Sequence, residues 1–357
     1  MVTGNQGGRP FVSIGVTTYK RHNLLRQTLD SVLAQTFSDF EVIVGNDYTE
    51  EILTGEMLGI TDPRIRFVNH PRNLREVGNM NALLGMATGR YFTWLFDDDL
   101  YEPNFLETAH DCLAKTGYPP AFFCSYRVIM GGEEFQPQNI QDSSMTEFTG
   151  REFIRWYSVF RTKLFPTYGL FDTLILRDKL VGFEELSESA IGLYSEHLFL
   201  VKCALLDRIV YVDAPYYIYR QHEGSWSEST TDLEYYQKAG QEFIRRSSEV
   251  LHHPDLTGDY NENLLKVCSF HLIEFAFKSG RHVNYISQSA REKFGIKGAF
   301  HTISRHWHET LKTKKLYLAL GGDSSFRSRV AFLKVMLFCN YLMISHLSQY
   351  FLRRKKD

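Results

Sequence analysis

Four times in its first hundred residues the chain sets a short β-branched and aromatic run before a polar turn: FVSIGVTTY (11–19), FEVIVGND (40–47), IRFVNH (65–70) and RYFTWLF (90–96). Runs this short and this apolar suit strands buried on both faces, as in a parallel sheet. Helix-patterned stretches lie between them. Leu25, Leu29, Val32 and Leu33 recur at helical spacing after Asn23, a residue type able to cap a helix start. LREVGNMNALLGMAT (74–88) predicts another helix, stopped at Gly89. The order predicts an α/β, doubly wound, mostly parallel sheet with right-handed crossovers. Ligands of such sheets sit beyond the carboxyl ends of the strands.

What stands at those strand ends therefore matters most. Asp97, Asp98 and Asp99 follow the fourth run directly. A single acid after a strand is commonly a solvated turn or a cap. Three in a row raise one another's pKa unless a cation relieves them. Mg²⁺ or Mn²⁺, hard, oxygen-seeking and often completed by substrate phosphates, is the natural relief. Such an ion would neutralise a diphosphate leaving group as a Lewis acid. Asp47 closes another strand of the same sheet, so it should emerge at the same edge.

After Pro120 the pattern turns mixed. AFFCSYRVIM (121–130), GLFDTLILR (169–177) and RIVYVDAPYYIYR (208–220) read as strands, with helices at 149–160 and 194–206 and a polar connection reaching Thr146. Beyond 230 strand signals fade and helical ones take over. The expected division is a flexible lead over 1–10, an α/β domain over 11–230 and a helical region over 231–357. The first ten residues lack a signal-peptide pattern. Five scattered cysteines without a CxxC pair argue against a disulfide framework or zinc ribbon and fit a reducing cytoplasm. A formal net charge of −2 argues against nucleic acid as a partner. No G-x-G-x-x-G follows any strand, which excludes a dinucleotide dehydrogenase.

Residues 11–106 resemble the family 2 glycosyltransferases, enzymes of the GT-A fold that use nucleotide sugars. VSIGVTTYKRHNLLRQTLDSVLAQTFSDFEVIVGND carries the likeness, LDSVLAQTFSDFE most of all. NLREVGNMNALLGMATGRYFTWLFDDDLYEP is similar to the family's Asn-rich helix and DxD region. The likeness extends, block by block, over about the first 230 residues. It implies a GT-A fold, a Rossmann-like, mostly parallel central sheet with flanking helices, here followed by a C-terminal helical extension. It assigns Thr17 and Tyr19 to the nucleotide pocket and Asp47 to the base, typically uracil. Asp97 falls to the ribose, and Asp98 with Asp99 to the metal. Two departures stand out. Lys20 replaces the usual Asn after Tyr, and GND replaces the usual double Asp, which makes the base preference less defined.

The family's inverting transfer needs a carboxylate base for the acceptor hydroxyl. YSEHLFLVKCALL (194–206) is similar to the helix that carries it. Glu196 takes the catalytic position, Ser195 the preceding acid's, and Lys202 a place where a basic residue is common. The plainer view of Glu196 is an acid favouring a helix N-terminus. His197 is the rival base, more simply read as a neighbour that packs. YRQHEGSWS (219–227) is similar to the family's YR-x-H-x-x-S segment. His222 is expected on metal or phosphate, Arg220 on diphosphate, and Gly224 in a loop that closes over donor. Tyr168, Gly169, Phe171 and Asp172 are expected beside the acceptor, and Trp156, Tyr157 and Trp226 stack on sugars or fill the core.

The resemblance implies transfer from a nucleoside diphosphate sugar, UDP-sugar favoured, to a hydroxyl of a saccharide or lipid-linked saccharide in surface polysaccharide assembly. The alternative is a carbohydrate- or partner-binding scaffold built on a degenerate transferase. A sugar-nucleotide pyrophosphorylase would need a Gly-rich loop where this chain has TTYKRHN. VMLFCNYLMISHLSQYFL (335–352) is apolar yet carries Asn, Ser, His and Gln, and RRKK follows. From His301 onward eleven Lys/Arg face three Asp/Glu. That pattern predicts an interfacial helix on an anionic membrane, peripheral on its inner face. Its rival is a helix packed on the chain itself or on a second copy in a homo-oligomer.

Overall fold

The computed structural model describes residues 8–130, 133–141, 143–157, 164–222, 233–289, 304, 308–309, 311–322 and 324–353. The start of the N-terminal lead, the expected closing loop with Gly224 and Trp226, the domain boundary at 230 and the terminal basic residues after Arg353 lie outside them. The chain divides into two units. The first comprises Met1–Phe153, Leu164–Glu185 and Ala190–Glu228; the second comprises Ile154–Lys163, Leu186–Ser189 and Ser229–Asp357. Two short pieces of the first 230 residues thus belong with the C-terminal region.

Among the described residues, the first unit is built on a nine-stranded sheet. In chain order its elements are β1 (Val12–Thr18), α1 (His22–Leu33), β2 (Phe40–Asn46), α2 (Gly55–Leu58), β3 (Ile65–Asn69), α3 (Arg75–Met86) and β4 (Tyr91–Phe96). Then come β5 (Leu100–Tyr101), α4 (Phe105–Lys115), β6 (Ala121–Met130), β7 (Ser144–Phe148), α5 (Gly150–Trp156, whose residues from Ile154 count with the second unit), β8 (Gly169–Asp172), α6 (Thr173–Ile175), α7 (Ser195–Lys202) and β9 (Ile209–Gln221). Strand order is β3-β2-β1-β4-β8-β6-β9-β5, with β7 beside β9. The first four strands run parallel. Antiparallel β8 joins β4 to β6.

Three of the four apolar runs, β1, β2 and β4, are covered on both faces, whereas β3 stands at the sheet edge only partly buried, which departs from expectation. Tyr91, Phe92, Trp94 and Leu95 of β4 are fully buried. Trp94 donates its ring N–H to Met80 O of α3 (3.0 Å) and meets Phe183 edge-on at 4.5 Å. Burying such a side chain contributes roughly 1.5–3 kcal/mol, so β4 is a firm rail. Gly45 of β2 admits α3 closely, since a Cβ there would lie 2.2 Å from Asn79 Oδ1.

Several boundaries differ from expectation. GLFDTLILR is a strand only to Asp172, whose carboxylate accepts from Leu174 N (3.0 Å) and Ile175 N (3.1 Å) and starts a helix. The polar connection up to Thr146 runs into the start of β7, an exposed strand that hydrogen bonds to β9 rather than burying apolar side chains. Helix α1 begins at His22 with Arg21 at the cap and no capping side chain, so Asn23 does not serve.

In the second unit, the helices Leu233–Leu251 and Tyr260–Ser289 approach closely. A Cβ on Gly240 would fall 1.9 Å from the His271 ring. Arg155 pairs with Asp259 at 2.8 Å, and Tyr317 packs on Phe332 at 5.0 Å between ring centres. The last helix runs Phe326–Arg353.

Candidate active site

Register brings the predicted acids together. Thr17 pairs with Phe96 across β1 and β4, and Thr18 with Asn46 across β1 and β2. The residues that follow, Asp47 and Asp97, therefore flank the end of β1. Asp47 is buried, accepts from Leu74 N at 2.6 Å, and is pushed above the usual carboxylate range by that burial. Beside it Tyr48 meets Tyr19 edge-on at 5.5 Å, and the Lys20 ammonium lies 3.9 Å from the centre of the Tyr48 ring. Asn46 spans the turn, donating to Glu51 O (2.8 Å) and Asn69 Oδ1 (2.8 Å). The GND departure thus supplies a glycine that fits α3 and an asparagine that ties the loop.

The three aspartates have three different settings. Asp97 accepts from the Thr18 hydroxyl (2.7 Å) and Tyr19 N (3.3 Å), and pairs with Arg21 at 3.2 Å. Burial, and then the charge of Asp98, push it up to about 6. Asp98 keeps 14% side-chain exposure, accepts from the same Arg21 Nη1 at the shorter distance of 2.7 Å and stands 3.2 Å from His222 Nε2. Asp99 is enclosed: Tyr217 O–H donates to one oxygen (2.6 Å) and Arg220 N–H to the other (2.9 Å). Burial first, then Asp98, hold it well above the ordinary range. Both Asp99 oxygens are thus engaged inside the fold, which departs from the expectation of a metal ligand.

Arg220 departs from expectation in the same way. Its guanidinium reaches Asp98 O, Gln27 Oε1, Leu24 O (3.3 Å) and Thr28 Oγ1 (3.4 Å), binding β9 to α1. The buried Thr28 hydroxyl in turn lies 2.9 Å from Asp97 O and 2.8 Å from Asp99 O. The aspartate turn is therefore clamped from two elements. Sequence reasoning missed Thr18, Arg21, Thr28 and Tyr217. Thr17, half-buried at the same edge, makes none of the aspartate contacts that Thr18 makes.

Glu196 opens α7, half-buried. Burial, with the nearby charge of Glu76, pushes it up to about 8. Glu76, at the start of α3, accepts from Gly192 N (3.0 Å), and burial and then Asp98 raise it as well. It stands within electrostatic reach of both Asp98 and Glu196 and was not singled out from sequence. Burial lowers His197 to about 4, so its imidazole is neutral near pH 7. Lys202 donates to Leu180 O (2.9 Å) and pairs with Glu184. Tyr168 and Phe171 belong to the core, Tyr168 against Tyr126 at 4.8 Å and Phe171 against Phe199 at 5.0 Å.

Three residues in left-handed backbone immediately precede site residues. Lys20 (φ 60°) precedes Arg21, Arg75 (φ 61°) precedes Glu76, and Tyr194 (φ 60°) precedes Ser195 and Glu196. Residues other than glycine rarely adopt this region, and where they do the fold must enforce it, often at functional sites.

Among the described residues no three His, Cys, Asp or Glu side chains form a ready metal-binding group. The donors that best fit a divalent cation are Asp98 and His222, one hard oxygen and one imidazole nitrogen already neighbours.

A parallel half-sheet with an acidic cluster past its carboxyl edge, joined to a mixed half, is the arrangement of the GT-A fold. Residues 13–171, just under half of the chain, match the glycosyl transferase family 2 profile. The chain is 32% identical over 151 residues to the putative colanic acid biosynthesis glycosyl transferase WcaA of Escherichia coli K12, spanning 41% of this chain and 53% of that protein. Over 143 residues it is 25% identical to an Escherichia coli UDP-Glc:α-D-GlcNAc-diphosphoundecaprenol β-1,3-glucosyltransferase, WfgD, spanning 39% and 56%. The matches to other curated glycosyltransferases span as little as 17% of their length. The fold is similar to that of Staphylococcus aureus TarS solved with UDP-GlcNAc, with TM-score 0.53, 16% identity, and 88% and 93% of the two chains covered.

Proposed function

We propose that the protein is an inverting glycosyltransferase that moves a sugar from a nucleoside diphosphate donor, UDP-sugar favoured, to a hydroxyl of a saccharide or lipid-linked saccharide. The observation that carries this reading is the grouping past one sheet edge of a gripped pair, Asp97 and Asp98, with two raised carboxyls, Glu76 and Glu196. The names of WfgD and the TarS complex support a uridine nucleotide, and WfgD and WcaA support surface polysaccharide assembly. The five cysteines are free, which suits the reducing cytoplasmic side.

Thr17, Tyr19 and Asp47 would line the nucleotide pocket, Asp47 facing the base while the Tyr19–Tyr48 edge offers an aromatic wall. Asp97 would take the ribose. Asp98 and His222 would hold Mn²⁺ or Mg²⁺, the remaining positions falling to donor phosphate and water. The ion, when bound, supplies Lewis-acid neutralisation of the diphosphate. Arg21 pairs with both acidic side chains, standing where positive charge is required. Asp99 and Arg220 act as positioning groups that fix the turn.

Glu196 would accept the proton of the acceptor hydroxyl. The hydroxyl oxygen forms a bond to the anomeric carbon, while the bond from that carbon to the diphosphate breaks on the opposite face. The nucleoside diphosphate leaves with the electron pair, and the configuration inverts. A carboxyl poised near 8 is a stronger base than an ordinary one, and close to a neutral working pH.

The test is thermal stabilisation by UDP-sugars with and without Mn²⁺, run beside Asp98→Asn. A midpoint that rises only with donor and Mn²⁺ together, and no longer rises in the variant, is the expected result. An unchanged response in Asp98→Asn would remove Asp98 from the site.

A further inference from the structure

The helix Phe326–Arg353 is apolar on two opposite sides, and only one of them is used by its own unit. At 100° per residue, Ser328, Phe332 and Cys339 share one side, and all three are buried. The other side carries Phe326, Leu333, Leu337, Tyr341 and Ile344. Their exposures run from 48% at Leu333 through 59% at Leu337, 61% at Ile344 and 66% at Tyr341 to 83% at Phe326. Scattered apolar residues on a surface need no explanation, but a continuous stripe over five turns marks a docking face. Arg329 and Lys334, both exposed, flank the stripe one on either side.

We infer that this face docks on a bilayer surface containing anionic lipid, its stripe resting among the acyl chains and its cations among the headgroups. Charge selects the occupant. From His301 to Asp357 there are eleven Lys/Arg and three Asp/Glu, an excess of eight. Two copies meeting through this face would bring like charge against like charge, whereas anionic headgroups complement it. None of the described helices is long and apolar enough to cross a membrane, so the contact is one of lying on the surface. A face of five large side chains with flanking cations meets the two requirements of lasting peripheral attachment, apolar insertion and electrostatic attraction.

The experiment is co-sedimentation of the full chain with vesicles of phosphatidylcholine alone, or of phosphatidylcholine mixed with phosphatidylglycerol. The protein is expected to sediment with the mixed vesicles, to be released by salt, and to stay in solution with phosphatidylcholine alone. Leu337→Glu with Tyr341→Glu removes two outward apolar groups, and the bound-to-free ratio should fall at least about ten-fold. Both side chains face water, so the melting temperature should hold. Arg329→Glu with Lys334→Glu leaves the stripe intact and should lower binding to mixed vesicles alone. Wild-type protein that ignores both vesicle types overturns the inference. So does a Leu337→Glu, Tyr341→Glu variant that sediments as the wild type does. Sedimentation velocity showing a dimer that this variant dissolves, without vesicle binding, assigns the face to a second copy instead. None of these readouts involves nucleotide or transfer, so the result stands apart from the fate of the glycosyltransferase reading.

Discussion

The carboxylates past the sheet edge fall into two sets that the fold treats in opposite ways. Those of the β4–β5 turn are answered. Asp97 has Thr18, Tyr19 and Arg21, Asp98 has Arg21 and His222, and Asp99 has Tyr217 and Arg220 N. Those at the starts of α3 and α7 are set against each other. Burial raises Glu76 and Glu196, and each feels a neighbouring acid. Burial raises Asp97 and Asp99 too, so what distinguishes the first arrangement is that its acids are fixed in place by donors and cations. Under the proposed reading that suits groups held ready for a cation and a diphosphate, and the second suits a group that must take up and give back a proton. The contrast would then separate holding from proton transfer within one cluster of acids.

The sharpest way to break that contrast is Glu196→Gln. Transfer should fall about 10²–10⁴-fold, the usual worth of a general base, while calorimetric binding of the nucleotide sugar stays. A variant that transferred at the parental rate would place the base elsewhere. Tyr217→Phe strikes the other set by leaving one Asp99 oxygen without its hydroxyl. Denaturant unfolding should show a loss of about 1–3 kcal/mol, as for a buried polar group left unsatisfied.

The subtlest probe is Glu76→Gln, which keeps an acceptor for Gly192 N–H but removes the like charge beside Glu196. The base works deprotonated, so transfer should rise with pH through a limb near 8 in the parent protein. That limb should move to lower pH in the variant. Linkage gives an independent check. The Glu196 pKa is raised on folding from 4.5 to about 8. Its contribution to stability is therefore full below about 4.5 and lost as pH climbs through about 8. Glu196→Gln should flatten that part of the stability curve.

Much of the donor side was legible because strands delivered it. The runs before Asp47 and Asp97 are buried on both faces, and that requirement is written locally as unbroken apolar sequence. Any acid at the end of such a run must emerge at the sheet edge. The partners were not legible for the converse reason. Tyr217 meets Asp99 across 118 positions of chain, and Gly192 meets Glu76 across 116. No local period reports such a pairing. Asp99 and Arg220 carry the right chemistry for metal and diphosphate, and only tertiary contacts turn both inward. β7 was missed because its exposed residues earn their place by backbone pairing to β9, which leaves no apolar signature.

The left-handed residues ahead of Arg21, Glu76 and Glu196 carry a lesson for anyone reshaping this protein. Each holds a backbone state costing roughly 1–2 kcal/mol relative to the ordinary helical region, so glycine at the exposed Lys20 or Arg75 is an obvious stabilising substitution, whereas the buried Tyr194 is held by its own packing. Lys20 and Arg75 also set the direction from which Arg21 and Glu76 enter the acidic cluster. A thermostability campaign guided by folding energy alone would collect these two changes early and loosen, under the proposed reading, the aim of the cation and of the acid beside the base. Robustness and reactivity are traded at two named positions, and libraries for new donors or acceptors do best to leave them alone.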